Sequence, residues 1–334
     1  MNAESTGYEV ELATDADRGP ILEIMETSFA SVQRSSSVLR GPEFWEWKYR
    51  SSPFGIASVQ QIKLDGKVVA AQSLWPVTFQ WQEREFHALQ ACDTVVHPDF
   101  RRQGLFKALL MARKTRAAAL NADFIFNFPN ANSWPGNLKA GWHFLGRVPW
   151  YVRIIKPITL IRDYGKEGRS ASLAVPERYR VTETMLDWLE GAVAGDRRGL
   201  SLTRPTGYWR WRFLKRPSRQ YGLVCMETNC KSFAVFTLSR KASGLIELVV
   251  VDLIATRETL SPLLRVVLGC GREVGAAFVA MMNPQAFSAG TFYRHGFVPV
   301  REKNLVYLPV NPDLPREIGE IREWDFRAAI HDTI

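Results

Sequence analysis

The sequence predicts a mixed α/β fold around a central sheet, repeated in two halves. One observation is the order of its segments, since stretches with the alternation or apolar character of strands flank stretches with helical spacing. A second is that an aromatic motif and a glycine–aromatic pair each occur twice, in the same order. A third is the length of 334 residues with 46% hydrophobic residues, which suffices for two cores.

The first half is predicted to contain five strands and two long helices. A helix follows the first strand, with Asp15 or Asp17 as its N-cap. Asp65-Gly66 between two strands is typical of a tight hairpin turn. The second helix begins at Leu105, where apolar residues return at helical spacing. The predicted strands cover residues 8–13, 57–64, 67–79, 85–96 and 122–128.

The segment between the fourth strand and the second helix carries the clearest chemical signal. Pro98 ends the strand, because proline cannot donate to a central ladder. The basic turn that follows, residues 101–104 with the sequence Arg-Arg-Gln-Gly, opens a helix whose first N–H groups lack partners and whose dipole favours an anion. Gly104 lets an anion approach the backbone, so this turn is a candidate phosphate cradle. An ordinary solvated turn is the alternative.

The whole run, Val-x-Pro-x-x-Arg-x-x-Gly, resembles motif A of the GNAT acyltransferase superfamily. In that family an Arg/Gln-x-x-Gly-x-Gly/Ala turn holds the pyrophosphate of acyl-coenzyme A. Arg101 and Gly104 match the first two fixed positions, whereas Phe106 stands where the family has a small residue. The resemblance implies acetyl-CoA, or another acyl-CoA, as cofactor. The residues that it assigns to cofactor binding are Val95, Val96, Arg101, Arg102, Gln103, Gly104, Leu105, Phe106 and Asn130.

The resemblance also implies a gap between two strands. In the family, the strand that carries motif A parts from the next strand, and the acyl-pantetheine arm lies between them. An Asn after the second strand often contacts the arm, and Asn130, eleven residues before Gly141, is the candidate here. A turn-forming Asn after Pro129 is the alternative.

The second half repeats landmarks of the first. A Trp-x-Trp segment begins at Trp45 and again at Trp209, 164 residues later, and we interpret both segments mainly as core packing. A glycine before an aromatic residue occurs at Gly141 and again at Gly296, 155 residues later. Two matched landmarks predict an internal duplication, with two tandem GNAT-like folds.

The second copy is predicted to be degenerate, because residues 254–260 after its matching strand contain no glycine. One cofactor site is therefore expected, in the first copy. The predicted organisation is a cofactor-binding domain at residues 1–160, a linker at 161–175, a degenerate domain at 176–312 and a C-terminal tail at 313–334.

Transfer of an acyl group from a thioester to an amine needs a group that takes the amine proton. Asp93 is the first candidate, since an acid in an apolar strand is costly unless it is paired or used, and a structural salt bridge is the equal alternative. His97 and His87 have a suitable intrinsic pKa, although His97 could equally be a turn residue. Many family members place a Tyr, which protonates the leaving thiolate, where this chain has Leu138. The second half instead carries Tyr293 there.

The predicted function is an acyl-CoA-dependent N-acyltransferase, in its simplest form an acetyltransferase, that acts on the primary amine of a small molecule. Residues 128–130, with the Gly-Leu-Phe of the turn, resemble GNAT proteins of bacterial polysaccharide gene clusters, so an amino sugar is the first expected acceptor. One alternative is aminoacyl or acyl transfer from tRNA or an acyl carrier protein. The other is an inactive module that binds acyl-CoA.

Composition limits the partners and the location. The formal net charge of +9 suits anionic partners, but Lys and Arg are scattered and form no tail for nucleic acid. The four cysteines lack metal-ligand spacing, so no metal site is predicted. Residues 1–19 do not resemble a signal peptide and no apolar run is long enough for a transmembrane segment, which predicts a cytoplasmic protein. The tandem repeat would act as a pseudo-dimer.

Overall fold

A computed structural model describes residues 7–29, 41–157, 170–192, 199–226, 232–282, 287–325 and 327–330. Within these ranges the chain forms helices around one large mixed sheet to which fourteen strands belong, which confirms the predicted α/β class. Residues 161–169 of the predicted linker lie outside the described residues. No helix in the described ranges is long and apolar enough to cross a membrane.

The first half closely follows the predicted order of elements. Its strands are β1 (Glu11–Leu12), β2 (Ser58–Leu64), β3 (Lys67–Trp81), β4 (Arg84–Val96), β5 (Phe124–Asn127) and β6 (His143–Ile154). Its helices are α1 (Arg18–Phe29), α2 (Pro42–Trp45, continued by a π-helical turn, Glu46–Arg50), α3 (Leu105–Ala119) and α4 (Trp134–Lys139). The predicted hairpin turn is confirmed, since Asp65 and Gly66 have φ values of 49° and 76°.

Two local predictions near the N-terminus were wrong. The first strand is only two residues long, because residues 8–10 do not pair with β2. The cap of the first helical segment is Thr14 rather than an aspartate. The Thr14 N–H donates to the Asp17 carboxylate at 2.8 Å, and the Thr14 hydroxyl donates to the same oxygen at 2.8 Å. Asp17 is thus the reciprocal partner in a capping box.

The second half contains the remaining strands and helices. Its strands are β7 (Ala171–Leu173), β8 (Leu200–Leu202), β9 (Gly222–Cys225), β10 (Phe233–Arg240), β11 (Ile246–Ile254), β12 (Phe278–Met282), β13 (Val298–Pro309) and β14 (Trp324–Asp325). Its helices are α5 (Glu183–Ala192), α6 (Tyr208–Phe213), α7 (Arg257–Glu273) and α8 (Ala289–Arg294).

The two halves exchange strands in the middle of the sheet. The strand order is β1-β2-β3-β4-β5-β13-β6-β12-β11-β10-β7. Each half supplies a parallel pair, β4 with β5 and β11 with β12. The strand beside β5 is β13 from the second half, and the strand beside β12 is β6 from the first. Each half therefore completes the sheet of the other, and we expect them to fold as one unit.

The two Trp-x-Trp segments meet in a symmetric contact. The Trp47 indole N–H donates to the Trp211 carbonyl oxygen at 2.7 Å, and the Trp211 indole N–H donates to the Trp47 carbonyl oxygen at 2.8 Å. Their rings stack with centroids 5.0 Å apart, and both side chains are buried. This contact explains why the motif occurs twice and supports its interpretation as core packing.

Replacing either tryptophan is expected to destabilise the whole chain. We predict that Trp47→Ala lowers the free energy of unfolding by about 3–5 kcal/mol, because it opens a cavity and leaves the Trp211 carbonyl oxygen without its donor. Trp211→Ala should cost a similar amount. Urea denaturation followed by far-UV circular dichroism measures both values, and a loss below about 1 kcal/mol would contradict a shared core.

The C-terminal residues contribute to the core. β14 pairs with β8, which in turn pairs with the end of β3. The Trp324 ring is 1% exposed and lies edge-on against the rings of Phe79, Phe124 and Phe126. The segment expected to be a tail therefore covers one face of the shared sheet.

Candidate functional site

A gap opens between β4 and β5. The two strands pair at only three positions, and the last pair is Gln90 with Phe126. β4 continues to Val96 beside β3, whereas β5 ends at Asn127. The edge of residues 91–96 that faces β5 consequently has no strand partner among the described residues. We call the space beside this edge the strand gap.

The basic turn lies at the open end of the strand gap. After a short 3-10 turn at Pro98–Phe100, the backbone takes positive φ at Arg102 (64°) and at Gly104 (89°). Gly104 is the N-cap of α3 and supplies no side-chain cap. Within the described part of the chain, the backbone N–H groups of residues 102–106 have no hydrogen-bond acceptor. Five free donors at the start of a fifteen-residue helix make this turn a candidate site for an anion.

The second half has a matching gap between strands, but the corner beside this gap is closed. β11 and β12 also pair only as far as Val250 with Met281, so a second gap exists. However, α7 begins three residues after β11, and a Thr256–Thr259 capping box gives acceptors to the backbone N–H groups of Thr256 and Thr259. The C-terminal segment also lies beside this second gap, where the Arg327 guanidinium donates to the Leu253 carbonyl oxygen. Of these two corners, the described residues thus leave one, the basic turn, as an open candidate site for an anion.

The bulky Phe106 is accommodated beside α4. A Cβ atom placed on Gly136 would lie 2.6 Å from Cε1 of Phe106, so this ring packs directly on the glycine. Because the N–H groups of a first turn point along the helix axis, a ring that projects sideways to α4 leaves them open to a ligand. The sequence shows the unusual residue at position 106 but gives no sign that Gly136 compensates for it.

Two contacts hold the basic turn in place. The Tyr8 hydroxyl donates to the Gln103 carbonyl oxygen at 2.9 Å, and the Arg101 Nε donates to the Val96 carbonyl oxygen at 3.4 Å. The first contact joins residues 95 positions apart and was not predicted. Together they fix the turn against the end of β4.

Asp93 occupies a β-bulge beside the strand gap. Ala71 pairs with Val95 and Ser73 with Cys92, so two residues of β4 stand opposite one of β3. Asp93 itself has a φ of 48°. As a result, Cys92 and Asp93 both face the aromatic helix α2, whereas the next residue, Thr94, faces α3.

The Asp93 carboxylate is held by two side chains that the sequence analysis missed. The Lys48 ammonium, 1% exposed, forms a salt bridge with its Oδ2 atom. The Tyr49 hydroxyl donates to the same oxygen at 2.5 Å. Burial, and then the charge of Asp93, raise the pKa of Tyr49 well above its usual value, so this hydroxyl stays a donor. The salt bridge is therefore present, and Oδ1 has no donor among the described residues.

The two histidine candidates lie away from the bulge. His97 caps the short turn before Arg101, because its Nδ1 accepts the Asp99 N–H at 3.3 Å, which matches the turn alternative. His87 is exposed near the opposite end of β4.

Tyr293 lies in the second half, beside β6. It is 51% exposed, and its ring centroid is 6.0 Å from that of Tyr151. Burial and the Tyr293 hydroxyl raise the pKa of Tyr151 to about 12. No hydrogen bond or ring contact among the described residues joins Tyr293 to Asp93 or to the basic turn. The first-half counterpart, Leu138, is 39% exposed.

Asn130 acts as a local cap. Its Oδ1 accepts the backbone N–H of Asn132 at 3.0 Å and of Ser133 at 2.9 Å, directly before α4. This is the turn alternative of the sequence analysis. The structure therefore gives this side chain a role in starting α4.

Comparisons with known proteins identify a matching family domain and similar folds. Residues 9–144 match the family described as an acetyltransferase (GNAT) domain. No curated protein matches the sequence significantly. Among solved structures, a GCN5-related N-acetyltransferase from Anabaena variabilis matches with a TM-score of 0.62 at 11% identity, over 91% of this chain and 73% of that one.

Two further structures extend the likeness. A tandem GNAT protein from the clavulanic acid biosynthesis pathway matches with a TM-score of 0.54 at 16% identity, over 91% of this chain and 100% of that one. N-myristoyltransferase from Saccharomyces cerevisiae, with bound myristoyl-CoA, matches with a TM-score of 0.57 at 12% identity, over 92% and 84%. At these identities the likeness shows the fold alone, which is that of GNAT proteins.

Proposed function

We propose that the chain is an acyl-CoA-dependent N-acyltransferase with one cofactor site, in its first half. The observation that carries this proposal is the set of free N–H groups at residues 102–106, at the open end of the strand gap. The match of residues 9–144 to an acetyltransferase domain supports it. The diphosphate of the cofactor binds these N–H groups, and the side chains of Arg101 and Arg102 add positive charge.

The strand gap holds the pantetheine arm. The unpaired edge of β4 from residue 91 to residue 96 offers backbone N–H and C=O groups to the amides of the arm, as an edge strand does for an added strand. Six residues of strand span about 20 Å, which carries the arm from the basic turn to the bulge. The thioester then lies beside Asp93, where a backbone N–H of the bulge can stabilise its oxyanion.

The amine approaches from the side of the aromatic helix α2. Asp93 takes its proton, directly or through a water molecule, because the carboxylate faces that side and its Oδ1 is unoccupied by described donors. Lys48 and Tyr49 hold the carboxylate in this orientation through their contacts with its Oδ2 atom. This assignment gives His97 and Tyr293 no part in the reaction, since neither lies beside the bulge.

The acceptor is a primary amine of a small molecule, and amino sugars are the first class to test because of the resemblance of residues 128–130 to polysaccharide-cluster proteins. Transfer from a carrier protein or tRNA, and an inactive acyl-CoA-binding module, are the competing functions. We place the protein in the cytoplasm, where acyl-CoA is made available to soluble enzymes.

Thermal shift and thiol release test this function together. Acetyl-CoA should raise the melting temperature, and an amine panel that includes amino sugars should release free CoA thiol in an enzyme-dependent way. Binding of acyl-CoA without turnover on the whole panel would favour the inactive module. Absence of a shift with every acyl-CoA, together with tRNA retained on the purified protein, would favour aminoacyl transfer.

A further inference from the structure

A buried arginine lies on the α3 side of the strand gap. Arg113 of α3 is 1% exposed. Its Nε donates to the Gln72 Oε1 at 2.6 Å, and its Nη2 donates to the Thr94 hydroxyl. Its guanidinium carbon lies 5.7 Å from the centre of the Trp142 ring. Burial lowers the pKa of Arg113 to about 10, which leaves it a cation at neutral pH.

This cation has no carboxylate partner among the described residues. Lys48 pairs with Asp93, and Arg327 pairs with Asp325, but both acceptors of Arg113 are neutral. The Nη1 atom of Arg113 is buried and has no acceptor at all in the described chain. A charge removed from water without an ion partner is costly, so the site favours an anion that arrives from outside.

Two further buried polar atoms without partners belong to the same corner. They are the indole Nε1 of Trp142 and the side-chain Oδ1 of Asn137. The Asn137 carbonyl oxygen accepts the backbone N–H of Trp142 at 3.1 Å, and the Trp142 ring contacts Arg113, so Trp142 adjoins both of the other residues. Asn137 is 0% exposed. The corner between α3 and α4 thus presents two free donors and one free acceptor.

The corner adjoins the position beside Asp93 that the thioester would occupy. Thr94, which accepts from Arg113, is the residue after Asp93 in the unpaired part of β4. The bulge directs Asp93 to the α2 side and Thr94 to the α3 side. An acyl group at this point can therefore turn its far end toward Arg113 while the amine reaches the thioester carbon from the side of Asp93.

We propose that the preferred donor is the CoA thioester of a dicarboxylic acid, such as succinyl-CoA, whose free carboxylate binds Arg113 Nη1 and Trp142 Nε1. This inference rests on the proposed acyl-CoA function and names its substrate class. The Asn137 Oδ1 accepts an N–H of the pantetheine arm or a water proton. The transfer itself is unchanged: the amine nitrogen bonds to the thioester carbon, the C–S bond breaks, and CoA leaves as the thiol after protonation.

A comparison of the affinities for two CoA thioesters tests the inference. Isothermal titration calorimetry on the intact chain should give a dissociation constant for succinyl-CoA at least about tenfold below that for acetyl-CoA, because a charged hydrogen-bonded pair is gained. Arg113→Met should remove this preference and leave acetyl-CoA binding in place. It should still fold, since the substitution removes a buried charge that has no ion partner and keeps an unbranched apolar side chain in its place.

Arg116→Met is the matched control. Arg116 lies on the same helix, about one turn further on, and its Nε donates to the Ser58 hydroxyl at 2.8 Å, away from the corner. This variant should keep the preference. Arg113→Lys keeps the charge and should lose only part of it. Equal affinities of the unaltered chain for both thioesters would overturn the inference and leave the proposed function intact. If no CoA thioester binds, both fail together.

Discussion

Gly104→Glu is expected to abolish the increase in melting temperature that acyl-CoA produces. The substitution places a side chain at a φ of 89°, where non-glycine residues are strained, and puts a carboxylate where the diphosphate would bind. Loss of even two charged hydrogen bonds costs about 3–6 kcal/mol, which corresponds to more than a hundredfold in affinity. Thermal shift with a series of acyl-CoA concentrations measures the effect.

Gly244→Glu separates the loss of binding from the strain itself. Gly244 has a φ of 85°, is exposed in a turn of the second half, and would bring its Cβ within 4 Å of no other atom. It therefore reproduces the backbone strain and the added charge at a distance from the basic turn. An unchanged acyl-CoA shift in Gly104→Glu, or an equal loss in both variants, would contradict the assignment of the diphosphate to residues 102–106.

Asp93→Asn is expected to lower kcat by about 10²–10⁴-fold with little change in the affinity for acyl-CoA. The amide cannot take the amine proton, while the cofactor contacts at the basic turn remain. The amide also pairs poorly with the buried Lys48 ammonium, so we expect a stability loss that approaches the 3–5 kcal/mol typical of a broken buried pair. Activity must therefore be measured below the melting temperature of the variant, with binding checked by calorimetry.

Tyr49→Phe is the companion variant for this prediction. It removes one donor to the Asp93 carboxylate but keeps both the carboxylate and the Lys48 salt bridge. Its kcat should fall by about tenfold or less, which identifies Tyr49 as a positioning residue. Activity of Asp93→Asn equal to that of the unaltered chain would assign the proton to another group and leave Asp93 a purely structural ion.

The sequence was sufficient for those features whose cause is local. The hairpin at Asp65 and Gly66, the start of α3 at Leu105 and the basic turn all depend on neighbouring residues, and the structure has them where they were predicted. The absence of a matching basic turn in the second half could also be predicted, because the residues after β11 contain no glycine.

Features that join distant residues could not be predicted in this way. The exchange of β6 and β13 between the halves depends on contacts between residues far apart in the sequence, such as the side-chain hydrogen bond from Arg147 to Glu302, 155 positions away. Lys48 was hidden in an aromatic segment whose obvious role is packing, and its partner lies 45 residues away. Tyr293 was chosen by its position before a glycine, but the strand exchange decides which residues surround it.

The burial of Arg113 is another feature that could not be predicted from the sequence. On α3 it lies amid a basic and alanine-rich helical stretch, which predicts an exposed residue. In the fold it is buried against Gln72, Thr94 and the Trp142 ring. A buried charge without an ion partner can be recognised only from the three-dimensional structure, so Arg113 was absent from the predicted site.

A crystal structure of the chain with a bound acyl-CoA tests the central claim most directly. We expect one cofactor per chain, with diphosphate oxygens within hydrogen-bond distance of the backbone N–H groups of residues 102–106 and the pantetheine arm between β4 and β5. A cofactor bound at the second gap beside Arg327, or a diphosphate held elsewhere with residues 102–106 uncovered, would contradict the account.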